Sequence, residues 1–297
     1  MTPSSGEGQI SGSHAVRRPG PKPGRVGMKL VRASALLTVA VLVLIVGYVL
    51  ARGVKVLTPR FLLGFPEKMG REGGIFPSIV GTAALTVLSV LIAAPLGVGT
   101  AVFLTEYTRE GLFSRLVRFG SESLAGIPSI IFGLFGFLFF VIRLGMGWSI
   151  LSGSLTLSAM MLPTIVRTSE EALRSVPDVY RETAYALGAS RWQTVTSVVL
   201  PAAVPGILTG VILAVGRAVG ETAAVIFTAG SSLRLPTSIF DPVRTLPVHF
   251  YILAREGISL ENAYGTAAVL LIAVLLVDFG AYYALHRVSK KRSRTGR

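Results

Sequence analysis

The sequence predicts an all-α, polytopic membrane protein: a helix bundle with about six transmembrane spans. Three observations carry that expectation. Only 15% of the 297 residues are charged and 51% are hydrophobic, whereas a soluble domain carries about 25% charged residues. The shortage of charge is concentrated in long uncharged runs, which is the pattern of membrane spans. Twelve of the 29 basic residues lie in two terminal stretches, six within 17–32 and six within 287–297. Basic ends beside apolar spans mark the cytoplasmic side, so the net charge of +14 is an orientation signal rather than a nucleic-acid footprint.

Residues 1–30 are rich in Gly, Pro, Ser and basic residues and read as a disordered cytoplasmic tail. The uncharged run 33–51 follows Arg25, Lys29 and Arg32 and lacks a convincing small-residue cleavage site after it. It reads as a retained first span rather than a signal peptide. A polar loop at 52–72 leads to a second span within 73–105, bent around Pro95. Further spans are expected at 123–142, 144–166, 202–229 and 265–285, and 289–297 closes the chain as a second basic tail. The permease-sized membrane domain is thus 31–288.

An even number of spans puts both tails on one side. With the tails inside, cytoplasmic segments hold 19 Lys/Arg and outward ones 9, the bias the positive-inside rule requires. Prolines at 95, 128, 163 and 205 fall inside predicted spans, where neighbouring helices satisfy the freed carbonyls.

Several kinds of chemistry are missing. There is no cysteine, and the three histidines (His14, His249, His286) are scattered, so no metal site is expected. A P-loop needs G-x-x-x-x-G-K-[ST], and the chain contains no Gly-Lys pair. No catalytic residue and no cofactor are expected, and energy for concentrating a solute must come from outside. Of the isolated charges, Glu122 and Asp278 sit near predicted span ends and read as cap or interface charges. His249 reads as a solvated residue of an outward loop.

The segment 177–201 is the sharpest local signal. Asp178 is placed to cap a short helix with Ala184 and Leu187 on one face. Gly188 permits a sharp turn, and a second amphipathic piece with Trp192 and Val195 runs to Leu200-Pro201. The two pieces form a knob that a partner's groove can grip; the plain alternative is a solvated hairpin. This stretch resembles the E-A-A-x-x-x-G loop of ABC importer permeases, with Glu182, Ala184, Gly188, Leu200 and Pro201 in register, Thr183 in place of an alanine and Val198 in place of an isoleucine. The resemblance implies the type I importer permease fold, with this loop docking into an ATP-binding subunit.

In the fifth predicted span, Arg217 and Glu221 stand one helical turn apart, on a face shared with Gly210, Ala214 and Ala224. A charge at the bilayer centre costs about 2.5–3.5 kcal/mol on insertion scales and therefore faces a bundle interior or water cavity. One reading is a structural ion pair that locks the bundle. The other is a pathway pair in which Arg217 meets a passing oxyanion, for which its planar fork of donors is suited. Ser129, following Pro128, offers a hydroxyl or a freed helix-terminus amide to the same anion.

This span, with Arg217, Gly220, Glu221 and Thr222, also resembles the phosphate-specific branch of the importer permeases. Leu124–Gly133 and Leu246–Tyr251 agree with it, the latter pointing to the A-type subunit. The resemblance covers about 70–285. It implies inorganic phosphate as solute, a C-type paralogue as heterodimer partner, two ATP-binding subunits and an extracytoplasmic phosphate-binding protein. It also implies a multi-pass location in the bacterial cytoplasmic (inner) membrane, surrounded by lipid. Another oxyanion (sulfate, molybdate or tungstate), a self-sufficient anion channel or carrier, and a non-transporting scaffold are the rival readings.

Overall fold

The computed structural model describes residues 25–295. The tail expected over 1–30 falls mostly outside them, but helix α1 (Arg25–Gly53) already begins at Arg25, and the last helix continues to Thr295. Residues 25–30 are therefore helical where disorder was expected, and 289–295 of the basic C-terminal stretch are helical as well. Up to Gly47, α1 is a unit of its own, and its leucines Leu36, Leu37, Leu42 and Leu44 are all well exposed. A helix apolar on every side suits a lipid surrounding.

The second unit starts at Tyr48. A short helix α2 (Pro59–Leu63), capped by the Thr58 hydroxyl on the Phe61 N–H at 3.1 Å, precedes a two-stranded ribbon of β1 (Pro66–Glu67) and β2 (Glu72–Gly73). This ribbon is the one departure from an all-helical chain among the described residues, and it was not anticipated. Helix α3 (Phe76–Val102) opens with Pro77 in its first turn, where a missing N–H costs nothing, and runs into a π-helical turn, Phe103–Tyr107.

The third span differs from expectation. Residues 123–142 do not form one helix. Helix α4 (Leu112–Ala125) ends at Gly126, and α5 (Ser129–Gly136, prolonged by a π-helical stretch Phe137–Arg143) starts after Pro128, bent by 103° from α4. Proline lacks the N–H to continue the ladder, and the residue before it is pushed out of helical backbone. Among the described residues, five helices are long and apolar enough to cross a membrane, or six if the bent pair is one span.

Helix α6 (Ile150–Arg174) is the most buried of these and the centre of the packing. Its serines replace lost solvation with interhelical bonds: Ser154 Oγ donates to the Leu85 carbonyl at 3.2 Å and Ser158 Oγ to that of Ser89 at 3.0 Å. Small residues let the backbones approach closely enough for this. The segment 177–201 forms α7 (Asp178–Ala186) and α8 (Arg191–Thr194), and a π-helical turn Val195–Val199 leads into α9 (Leu200–Val219). The expected single span 202–229 is broken: α9 ends at Gly220, and a separate α10 (Ala223–Thr228) follows. Helix α11 (Leu246–Arg255) and the long α12 (Leu260–Thr295) complete the unit. Between α10 and α11, Asp241 Oδ2 accepts from the Thr237 and Ser238 N–H groups at 2.8 and 2.9 Å, which pulls its carboxyl below the ordinary range and orders the connecting loop.

Candidate functional site

The 177–201 knob is built on one arginine. Pro177, not Asp178, occupies the N-cap of α7, and Asp178 instead reaches Arg181 at 3.2 Å. Arg181 also grips Glu106 with two nitrogens, Nη2 to Oε1 at 2.7 Å and Nε to Oε2 at 3.3 Å. It donates as well to the carbonyls of Leu173 at 3.0 Å and Val176 at 2.8 Å. One guanidinium thus ties α7 to the ends of both α3 and α6. Nearby, Glu170 accepts from Arg118 Nε at 2.7 Å and Arg174 Nη2 at 3.0 Å, which fastens α4 to α6. Sequence inspection noted these charges only as loop polarity, since nothing in a 75-residue separation pairs Arg181 with Glu106.

The knob's two faces also sort differently from expectation. Ala184 is buried, whereas Leu187 is 84% exposed, so they do not share a face. Trp192 is 67% exposed while Val195 is buried, the amphipathic arrangement expected of that piece. Glu182 is exposed, and Leu200 and Pro201 are half-buried at the start of α9. The cap of α8, not anticipated, is a reciprocal box in which Ser190 and Gln193 bond each other's backbone N–H. Val179, Tyr180, Leu187 and Trp192 form an exposed apolar surface on the tip.

Gly188 makes the turn with φ +82°. A side chain there costs about 1–2 kcal/mol in the left-handed region, although no neighbouring atom lies within 4 Å of an added Cβ. Gly188→Leu is therefore expected to leave membrane insertion intact while reducing co-purification of an ATP-binding subunit, read by pull-down of the assembled complex. Wild-type recovery would remove the knob from the docking surface.

The Arg217 region is rearranged by the helix break. Arg217 lies on the same stripe of α9 as the buried Gly210 and Ala214 but is itself exposed in the helix's last turn, while Glu221 and Ala224 lie beyond the break. Arg217 has no carboxylate within ion-pair distance among the described residues. Glu221 lies in the break, where its Oε1 accepts from the Ala224 N–H at 3.3 Å and caps α10. Thr222 occupies the N-cap position without a side-chain cap bond. Asp278 of α12 lies beside Gly216, with Oδ1 3.5 Å from where a Cβ would stand, so it belongs to the α9–α12 contact.

The second broken segment packs against the first. A Cβ on Gly133 of α5 would stand 2.8 Å from the Ala224 Cα, and one on Gly136 2.8 Å from Thr228 Cγ2. Only a glycine permits that approach. The two helices thus run parallel, and each begins directly after an interruption: α5 at Ser129, α10 at Ala223. The fold thus brings Ser129, Arg217, Glu221 and Thr222 to two adjacent helix interruptions, although it leaves Arg217 and Glu221 unpaired.

His249 corrects a second expectation. It is not solvated but 1% exposed, with neither ring nitrogen hydrogen-bonded among the described residues. Burial, and secondarily the Arg244 charge, push its pKa down to about 4. The unfolded chain takes up this proton near pH 6.5, the folded chain only near 4, so stability is lost as pH falls through that window. The full loss is about 3 kcal/mol. Thermal unfolding of the purified protein at pH 7.5 and 4.5 is expected to show this, and His249→Gln to flatten the difference.

The chain can be set beside known proteins. The family model described as "Binding-protein-dependent transport system inner membrane component" matches residues 93–294. The probable ABC transporter permease protein YqgI of Bacillus subtilis (strain 168) is 37% identical over 273 residues, 86% of this chain and 93% of its own. The phosphate transport system permease protein PstA of Mycobacterium leprae (strain TN) is 38% identical over 261 residues, 84% of each chain. Among solved structures, a chain of a bacterial alginate ABC transporter aligns with TM-score 0.64 at 18% identity, over 89% of this chain and 97% of that one. A chain of the inward-facing MetNI methionine ABC transporter aligns with TM-score 0.61 at 21% identity, over 72% and 95%. The structures establish a common fold, and together with the family match they make this chain a member of the binding-protein-dependent ABC transporter permeases.

Proposed function

We propose that this chain is the membrane permease subunit of an ATP-driven importer that carries inorganic phosphate inward, with Arg217 on the pathway. The observation that carries the reading is an arginine without a carboxylate partner, among the described residues, at the end of an interrupted membrane helix whose continuation α10 packs against α5, the helix that begins at Ser129. A cation held in an apolar span needs a partner. A tetrahedral oxyanion supplies one to which a guanidinium can donate two parallel hydrogen bonds. Phosphate is favoured among oxyanions by the 38% identical relative that bears it in its name.

Partners follow from the same reading. The exposed apolar tip with Leu187 and Trp192 is where an ATP-binding subunit docks, with Glu182, Ala184, Gly188, Leu200 and Pro201 shaping the loop that presents it. A substrate-binding protein delivers the anion from outside, and a C-type paralogue supplies the other half of the pathway. The charge bias puts the knob and both tails in the cytoplasm, with the chain in the inner membrane.

The test is uptake of labelled phosphate by the reconstituted complex, with sulfate, molybdate and tungstate as competitors. Phosphate uptake resistant to all three is expected, and none from the chain alone in liposomes. Preferential competition by another oxyanion would reassign the solute; transport by the isolated chain would replace the importer reading with a channel or carrier.

A further inference from the structure

The entrance of α11 holds a group of buried polar atoms without partners. Arg244 Nη1, Thr245 Oγ1 and both ring nitrogens of His249 have no hydrogen-bond partner among the described residues, and the three residues are 5%, 2% and 1% exposed. Thr245 is the N-cap of α11. Arg244 thus precedes the cap and His249 sits four residues after it. In ordinary helices these two positions carry apolar side chains that pack on each other across the helix start. Here the pair is a guanidinium and an imidazole, close enough for the Arg244 charge to act on His249.

The protein supplies little to satisfy them. Arg244 Nε donates to the Ser231 carbonyl at 2.9 Å, and the Leu246 N–H to Thr82 Oγ1 at 2.8 Å. One turn along α3 from Thr82, the Thr86 hydroxyl is also buried without a partner. Among the described residues no carboxylate forms an ion pair with Arg244; the acid whose charge is felt there, Glu256, is exposed. Burial depresses the arginine's pKa, as expected for an under-compensated charge. Because these atoms have no accessible surface even in the isolated chain, a neighbouring subunit cannot reach them without rearrangement, so their partner must be small. All the side chains concerned can donate a hydrogen bond. Water would accept from them but would leave the charge uncompensated. A small anion does both, at the end of a helix where the backbone dipole favours it.

We propose that Arg244, Thr245 and His249 enclose a binding site for a small inorganic anion at the N-terminus of α11, on the outward side and separate from Arg217. The site holds α11 against α3, and it does not depend on which solute the importer carries. Chloride and phosphate share the required chemistry as acceptors.

The purified transporter is to be unfolded thermally in sodium chloride, sodium phosphate and sodium gluconate at equal ionic strength and pH 7.5. A saturable rise of several degrees in chloride or phosphate over gluconate is expected, by mass action, and it disappears in Arg244→Gln. Should that variant fail to fold, His249→Gln, which retains the Arg244 charge, is expected to raise the half-saturating concentration at least tenfold. A shift in both salts identifies a structural inorganic anion. A shift with phosphate alone that survives Arg217→Gln identifies the oxyanion itself at this site. Equal midpoints in all three salts, or a phosphate shift abolished by Arg217→Gln, overturn the proposal.

Discussion

Arg217→Ala is expected to lower phosphate uptake by the assembled transporter by about tenfold to a hundredfold or more while leaving assembly unchanged. The magnitude follows from a hydrogen bond to a charged group, about 1.5–3 kcal/mol, converted at 1.4 kcal/mol per decade. What makes the variant informative is the absence of an Arg217–Glu221 ion pair. Were the two locked together, removing the arginine would strand a carboxylate in the membrane and destabilise the bundle. Glu221 instead caps Ala224 at the start of α10, and Arg217 is exposed in this chain. Loss of such a side chain costs stability by no more than about 0.5 kcal/mol. Uptake and thermal midpoint, measured on the same preparation, therefore separate the roles. Lost uptake with an unchanged midpoint places the guanidinium on the pathway; normal uptake removes it. Arg217→Lys keeps the charge but not the planar fork and is expected to retain only part of the activity.

Arg181→Met should have the opposite signature, a large loss of stability from a residue that touches no solute. Glu106 is 6% exposed and receives both of its close ionic contacts from Arg181. Breaking a buried pair by removing one partner costs about 3–5 kcal/mol, because a charge is left uncompensated. In a chain of this size that lowers the thermal midpoint by roughly 10 °C. The same variant frees α7 from the ends of α3 and α6, so ATP-binding subunit recovery is expected to fall with it. Adding Glu106→Gln removes the stranded charge and should restore much of the midpoint, although not the anchoring of α7. The exposed pair Arg167–Glu171, at 3.3 Å, is the control: exposed pairs are worth about 0–1 kcal/mol, and Arg167→Met should change little. A double variant no better than Arg181→Met alone would mean that the carbonyl contacts to Leu173 and Val176 dominate.

Composition and charge placement alone were enough to read a polytopic helix bundle, because each span must satisfy its own backbone in lipid and so must be an uncharged run of sufficient length. The two short helices around the Gly188 turn were legible too, since a turn glycine, flanking short amphipathic pieces and a terminal Leu-Pro are local features. Helix interruptions were legible less well. Pro128 was read inside one continuous span, with a freed amide at Ser129 the sole hint of a break, and nothing local required a break at Gly220, where Arg217 and Glu221 fit a continuous helix at i, i+4 equally well.

Only the tertiary structure decided which charges meet. Arg181 finds Glu106 and Arg118 finds Glu170 across long stretches of chain, whereas Arg217 and Glu221, four residues apart and paired on any ideal helix, stay separate. His249, read from the sequence as a solvated loop residue, sits in α11 and is buried because that helix packs on α12 and α3. Periodicity and composition act over a few turns of chain, while ion pairing and burial depend on which helices pack together, and that is settled by the whole bundle.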